Sequence, residues 1–288
     1  IEKDLLMKIA DLHGVPEGAY NIRENGKPAG RSSTANIEIV PKADGKSGIE
    51  IYIKPGTKNE SVHIPVILSK AGYQETVYND FYIGADADVV IVAGCGIHNC
   101  GEKESRHDGI HTFYVGRNAR VRYVEKHYGE GDGNGENVMN PTTVAHLDEG
   151  AYMEMETTQI KGIDSTNRAT KADLKAGANL VIREKIYTHG RQRADTDFSV
   201  DMNGAGASAD VVSRSVAAGE SRQNFNSTMN GNAPCHGHTE CDAIIMDKAS
   251  VTAAPCLSAN DIDAELIHEA AIGKIAGEQL IKLMTLGL

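Results

Sequence analysis

Through most of this chain apolar residues fall at every second position; only near the two ends do they recur at three- and four-residue steps. Ile1, Leu5, Ile9 and Leu12 give a short amphipathic helix that stops at Gly14. Leu280, Leu283 and Met284, followed by Gly287, give a second one at the other end. Everything between alternates with period two and is broken by Gly, Asn and Asp, which is the pattern of β-strands joined by tight turns.

The middle also repeats. A small-residue turn leading into Ala and then aliphatics recurs in "GADADVVIV", "GRNARVRYV", "DEGAYMEME" and "KAGANLVIR", and more loosely in "GAGASADVV" and "MDKASVTAA". With Ala87, Ala119, Ala151, Ala178, Ala209 and Ala249 as markers, the steps are 32, 32, 27, 31 and 40 residues. Such spacing fits a solenoid with one or two coils per repeat, each coil pointing its aliphatics inward. A β-sandwich shares the short strands and glycine-rich turns, but the near-regular period favours the solenoid. The division expected is an N-terminal helical or irregular segment over 1–35, a β-solenoid core over 36–262 and a C-terminal helical segment over 263–288. Two loops, 94–109 and 129–141, interrupt the rhythm, and the second reads as a flexible excursion without chemistry.

Composition narrows the function classes. The net charge of −11 and the absence of a basic patch exclude a nucleic-acid binder. No apolar run approaches the roughly 20 residues that span a bilayer, and no signal peptide is visible, so no membrane insertion is expected. Five cysteines, an odd number without framework spacing, read as reduced thiols in a cytoplasmic protein. There is no phosphate-cradling loop and no G-x-S-x-G elbow.

Potential ligands concentrate in two places. In the loop at 94–109, Cys95, His98 and Cys100 form C-x2-H-x-C, with His107 and His111 downstream. The residue types suit zinc or an iron–sulfur centre, but the spacing matches no standard structural site. His111 shares a strand face with Phe113 and Val115 and reads as a core histidine. The stretch "PCHGHTECD" at 234–242 is denser still. Strand alternation places Cys235, Gly237, Thr239 and Cys241 on one face, and His236, His238 and Glu240 on the other. It is therefore at most half a site. Cys241 leads into "DAIIM" and reads as an inward or interface thiol; Cys235 and His238 remain secondary metal candidates beside Cys95 and Cys100. His268 and Glu269 are adjacent and cannot point the same way in a regular element. Cys256, after a proline, reads as a small buried hydrophobe.

The tail, "TECDAIIMDKASVTAAPCLSANDIDAELIHEAAIGKIAGEQLIKLMTLGL", resembles the C-terminal signature of the SufB/SufD family, scaffold subunits of the SUF iron–sulfur cluster assembly system. Cys241-Asp242, His268-Glu269-Ala270, Ile275, Glu278-Gln279-Leu280 and Gly287-Leu288 fall into place in order. "ESVHIPVIL" and "VVSRSVA" also look familial, so the likeness covers most of the chain.

This resemblance implies a right-handed parallel β-helix with short terminal helices, and a scaffold rather than an enzyme. It implies a transient iron–sulfur cluster held by Cys241, Glu269 and His268, with Glu269 favouring a SufB-like over a SufD-like role. A flavin enters as a family cofactor, though no residue here indicates one. The partners implied are a SufC-type ABC ATPase, a second copy or a SufD-like paralogue, a sulfur donor and client apo-proteins. The readings to be separated are thus a SufB-like scaffold, a SufD-like interaction subunit without its own cluster, and a zinc-binding or carbohydrate-active β-helix protein.

Overall fold

A computed structural model describes residues 3–10, 16–274 and 285. Among these the chain winds into a β-solenoid of about eight turns, with one short helix at the start. Two sheets form its walls. The first stacks, among others, Lys58–His63, Asp88–His98, Arg120–Glu130, Tyr152–Lys161, Asn179–Thr188, Ala207–Ala217, Cys235–Ile245 and Ala264–Gly273, all parallel. The second runs from Gly48–Ile53 through Gln74–Ile83, Ser105–Val115, the pair of short strands Asn137–Met139 and Thr142–Leu147, Ser165–Leu174, Arg193–Met202 and Arg222–Gly231 to Ser250–Ala259. Each coil thus contributes to both sheets, and their inward side chains meet in one long apolar cluster and a smaller one that includes Cys95, Ile97 and Met139.

Register fixes the repeat. Asp88, Arg120, Tyr152, Asn179, Ser208, His236 and Glu265 are successive partners along the first sheet. Stacked neighbours lie between 27 and 32 positions apart, so each repeat is one coil. Ala87, Ala119, Ala151 and Ala178 occupy one corner of the solenoid and are fully buried, since only a small side chain fits where the chain turns between sheets. Two of the expected markers belong elsewhere. The corner alanine of the next coil is Ala207, two residues before Ala209, and Ala249 sits at the opposite corner, before a strand of the second sheet.

Both proposed end segments differ from expectation. Within 1–35, the helix Lys3–Ala10 is followed by an antiparallel pair, Ala19–Glu24 with Lys27–Ser32, whose first strand joins the first sheet parallel to Lys58–His63. At the other end the solenoid passes residue 262: Ala264–Gly273 is a strand with ten-residue register to Cys235–Ile245. The helix expected from Leu280, Leu283 and Met284 lies outside the described residues, as do Leu12 and Gly14. The two interrupting loops are also shorter than they read. Positions 94–98 and 105–109 continue strands, leaving a turn at 99–104. The turn at 131–136 stacks on that one through Gly133 N–H to Asn99 O (3.2 Å) and Gly135 N–H to Gly101 O (2.9 Å), so it continues the coil rather than leaving it.

The helix packs Leu5, Leu6 and Ile9 against the outside of Asp88–His98. Two glycines of that strand permit the approach: a Cβ on Gly94 would meet the Ile9 carbonyl oxygen at 2.2 Å, and one on Gly96 the Leu5 side chain at 2.6 Å.

Candidate functional site

The strand Cys235–Ile245 alternates as its sequence requires. Cys235, Gly237, Thr239, Cys241 and Ala243 face the interior; His236, His238, Glu240 and Asp242 face out. Cys241 is 1% exposed, between Ser213 and Ala270 on the flanking strands. Burial pushes its thiol up to about 11, helped by the negative charges of Glu184 and Asp242.

On Ala264–Gly273 the adjacent His268 and Glu269 take opposite faces. His268 is the register partner of buried Thr239 and so lies on the inward face with Cys241, one strand over and two residues back. Its Nδ1 is buried with no hydrogen-bond partner. Glu269 is the partner of Glu240 and lies outside, 67% exposed. The sheet therefore puts Cys241 and His268 on one interior face, as diagonal neighbours on adjacent strands, and separates Glu269 from them.

Inside the solenoid a file of polar side chains interrupts the aliphatic core. Cys95 is contacted by His107 and His127. Burial acts to raise its pKa, but the two histidines outweigh burial and hold it down at about 7. His107 responds in the opposite sense: burial acts to lower it, and Cys95 with Glu75 lifts it to about 10. Further along the axis, Arg168 donates to Glu125 at 2.5 Å and lies 3.5 Å from Glu184, all three buried. Ser213 donates to the other Glu184 oxygen at 2.6 Å, and Ser213 is the register neighbour of Cys241. The file thus runs from Cys95 to Cys241 over five coil steps, roughly 24 Å at the usual inter-strand spacing. His111 fulfils the expectation of a core histidine: its Nδ1 lies 2.7 Å from the Tyr123 hydroxyl, which itself donates to Glu125, and its Nε2 lies 3.2 Å from Asn79.

Nothing in the motifs points to this file, because buried carboxylates are rare and charge by itself suggests the surface. A signal was present. Glu125 and His127 share parity with Val121 and Tyr123, as Arg168 does with Ala172 and Leu174, so each was bound to point inward.

The remaining candidates do not assemble. Cys95 faces the interior, whereas Cys100 is exposed with its Sγ 3.0 Å from His98 Nε2, so the C-x2-H-x-C residues split across the wall. Cys235 takes the inward corner position filled by alanine in earlier coils, while His238 is outside. Cys256 is exposed rather than buried, because its coil, Ser250–Ala259, is the last strand of its sheet among the described residues. On the outside of the second sheet, Tyr52, Tyr82, Tyr114 and His146 stack at 4.8, 5.0 and 5.1 Å. Each ring packs its faces on its neighbours, which makes the stack a structural ladder.

No helix among the described residues is long and apolar enough to cross a membrane. Comparison with known proteins agrees with the geometry. The SUF system FeS cluster assembly, SufBD core domain, matches residues 70–288. An iron–sulfur cluster assembly SufBD family protein of Methanocaldococcus jannaschii is 27% identical over 248 residues, 85% of this chain and 77% of that protein. One from Pyrococcus horikoshii is 28% identical over 288 residues, 98% of this chain and 80% of its own length. A third, from Mycobacterium tuberculosis, is 28% identical over 218 residues, 70% of this chain but 24% of that longer protein. With a solenoid core, an inward thiol in its penultimate described coil and this match over most of its length, the chain belongs to the SufBD family of iron–sulfur cluster assembly proteins.

Proposed function

We propose that this chain is a SufB-like scaffold on which an iron–sulfur cluster is assembled and from which it is handed on. The observation that carries the reading is that the Cys241 thiol shares one inward face with the His268 ring on the neighbouring strand, whose Nδ1 is buried and unpartnered. A buried nitrogen without a hydrogen bond is costly unless a ligand satisfies it. One thiolate and one imidazole hold iron far less firmly than four thiolates, which suits a cluster meant to leave.

Two ligands do not complete a cluster, and the last described coil offers a place for the rest. Ala264–Gly273 and Ser250–Ala259 end their sheets among the described residues, and Leu257, Ile267 and Ile272 are exposed there. A second copy or a SufD-like paralogue on this edge supplies the missing ligands, and a SufC-type ATPase moves the two chains relative to each other. Glu269 stands at the rim of that surface rather than beside Cys241.

A second reading has its own support. The Cys241 thiol, pushed up to about 11, is protonated at neutral pH in the isolated chain, as suits a SufD-like subunit that forms the interface without holding a cluster. Anaerobic reconstitution with ferrous iron and sulfide separates the two. The scaffold reading expects sulfide-to-iron charge-transfer absorption that Cys241→Ala abolishes. Full absorption in that variant overturns the site assignment, and no iron uptake by either protein favours the interaction subunit.

A further inference from the structure

We propose that His238, Glu240 and Glu269 form a site for one divalent first-row transition cation on the outer face of the solenoid. One donor atom from each lies within 4.8 Å of the others, the one such group among the described residues. The sheet register creates the group: His238 and Glu240 are alternate outward residues of one strand, and Glu269 is the direct partner of Glu240 on the next. A cation about 2.1 Å from each donor needs those donors roughly 3–4 Å apart. His238 Nε2 is already 3.6 Å from Glu269 Oε2, so side-chain rotation of the two glutamates closes the remainder.

Two further observations point to a cation. His238 presents its Nε2 because its Nδ1 donates to Asp210 at 2.8 Å, and Asp210 is itself anchored by Arg183 at 2.5 Å. A carboxylate behind the ring orients it and aims the other nitrogen toward Glu269, which is how metal-bound histidines are commonly held. In addition, Glu240 and Glu269 are like charges directly across a strand pair, an arrangement that costs free energy unless compensated. Arg214 reaches Glu240 at 3.4 Å from a side chain 66% exposed and also lies 3.8 Å from Asp242, and Glu269 has the His238 ring at 3.6 Å. A divalent ion between the two carboxylates would neutralise both at once.

The donor set is one imidazole and two carboxylates, with no thiolate, since Cys241 faces the other side of the sheet. That selects Fe²⁺, Mn²⁺, Co²⁺ or Zn²⁺ over soft ions. The site stands on its own geometry; only the choice of ferrous iron as the physiological ion, held outside the wall that Cys241 lines from within, rests on the assembly reading.

Titration of the full, metal-free chain with Co²⁺ tests it. One equivalent should bind with the weak visible absorption of a nitrogen–oxygen site and no thiolate charge-transfer band. His238→Ala and Glu269→Gln should each weaken binding more than about tenfold, and Asp210→Asn by about tenfold through the lost ring orientation. Cys241→Ser should bind Co²⁺ as the wild type does, even where it fails to form a cluster, so the two proposals fail separately. All these outer residues are at least partly exposed, and metal-free thermal melts should match the wild type. No Co²⁺ uptake, unchanged affinity in His238→Ala and Glu269→Gln, or a charge-transfer band that Cys241→Ser removes would each overturn the site.

Discussion

Cys241 and Glu269 lie on neighbouring strands of one sheet yet face opposite sides of it: the thiol is buried in the solenoid and the carboxylate is in solvent. Odd and even positions of paired parallel strands keep their faces, so no rotamer change brings the two together. Glu269→Gln should therefore leave most of the charge-transfer absorption formed on anaerobic reconstitution, whereas Cys241→Ser or His268→Ala should remove most of it. Equal losses in all three would mean that the strand re-registers when a cluster forms.

The two inward thiols at the ends of the polar file are poised in opposite directions. Cys95 is held at about 7 against its ordinary 9.0, and Cys241 is pushed up to about 11. A lowered thiol pKa means that the proton leaves as pH rises through the lower value. Ultraviolet thiolate absorbance should therefore gain one group's worth near pH 7, and Cys95→Ser should lack that step. Cys241→Ser should keep the step and change the titration only in the alkaline range. Ring resonances should report His107 as imidazolium at pH 8 in the wild type, with its pKa falling once Cys95 is replaced.

Arg168 holds two buried carboxylates apart from each other's charge, with Glu125 at 2.5 Å and Glu184 at 3.5 Å. Arg168→Met leaves Glu184 without its cation and Glu125 with His127 alone at 3.6 Å, and removing one partner of such a buried set costs about 3–5 kcal/mol. Urea denaturation should show that loss. Neutralising the stranded groups with Glu125→Gln and Glu184→Gln in the same chain should recover much of it.

Gly94 and the Ile9 carbonyl are in contact only because Gly94 has no Cβ. Gly94→Ala should lift the helix Lys3–Ala10 from the wall at a cost of about 1–3 kcal/mol for the overpacked contact. Faster amide exchange and earlier proteolysis confined to that helix would show it, with the strand Asp88–His98 still protected.

Much of this architecture was legible in the chain. Period-two alternation, a repeated turn-plus-alanine and the division of 235–241 into two faces follow from the 180° step of a strand, which is a local property. The same step already committed Glu125, His127, Arg168 and Glu184 to the interior, although their charge suggested the surface. Ala209 and Ala249 misled because similar words recur at both corners of a coil, and only pairing tells the corners apart. The short helical look of the tail hid the strand at Ala264–Gly273, whose partner lies almost thirty residues earlier.

The sequence by itself determined the solenoid, the inward aim of Cys241 and the opposed directions of His268 and Glu269, because alternation depends on neighbours along the chain. Only the tertiary structure decided which coil lies beside which. That register sets His268 beside Cys241, Glu269 across from Glu240, and Asp210 behind His238. It also joins Cys95, Arg168, Glu184 and Ser213 into one buried file, a relation between residues tens of positions apart that parallel stacking alone creates.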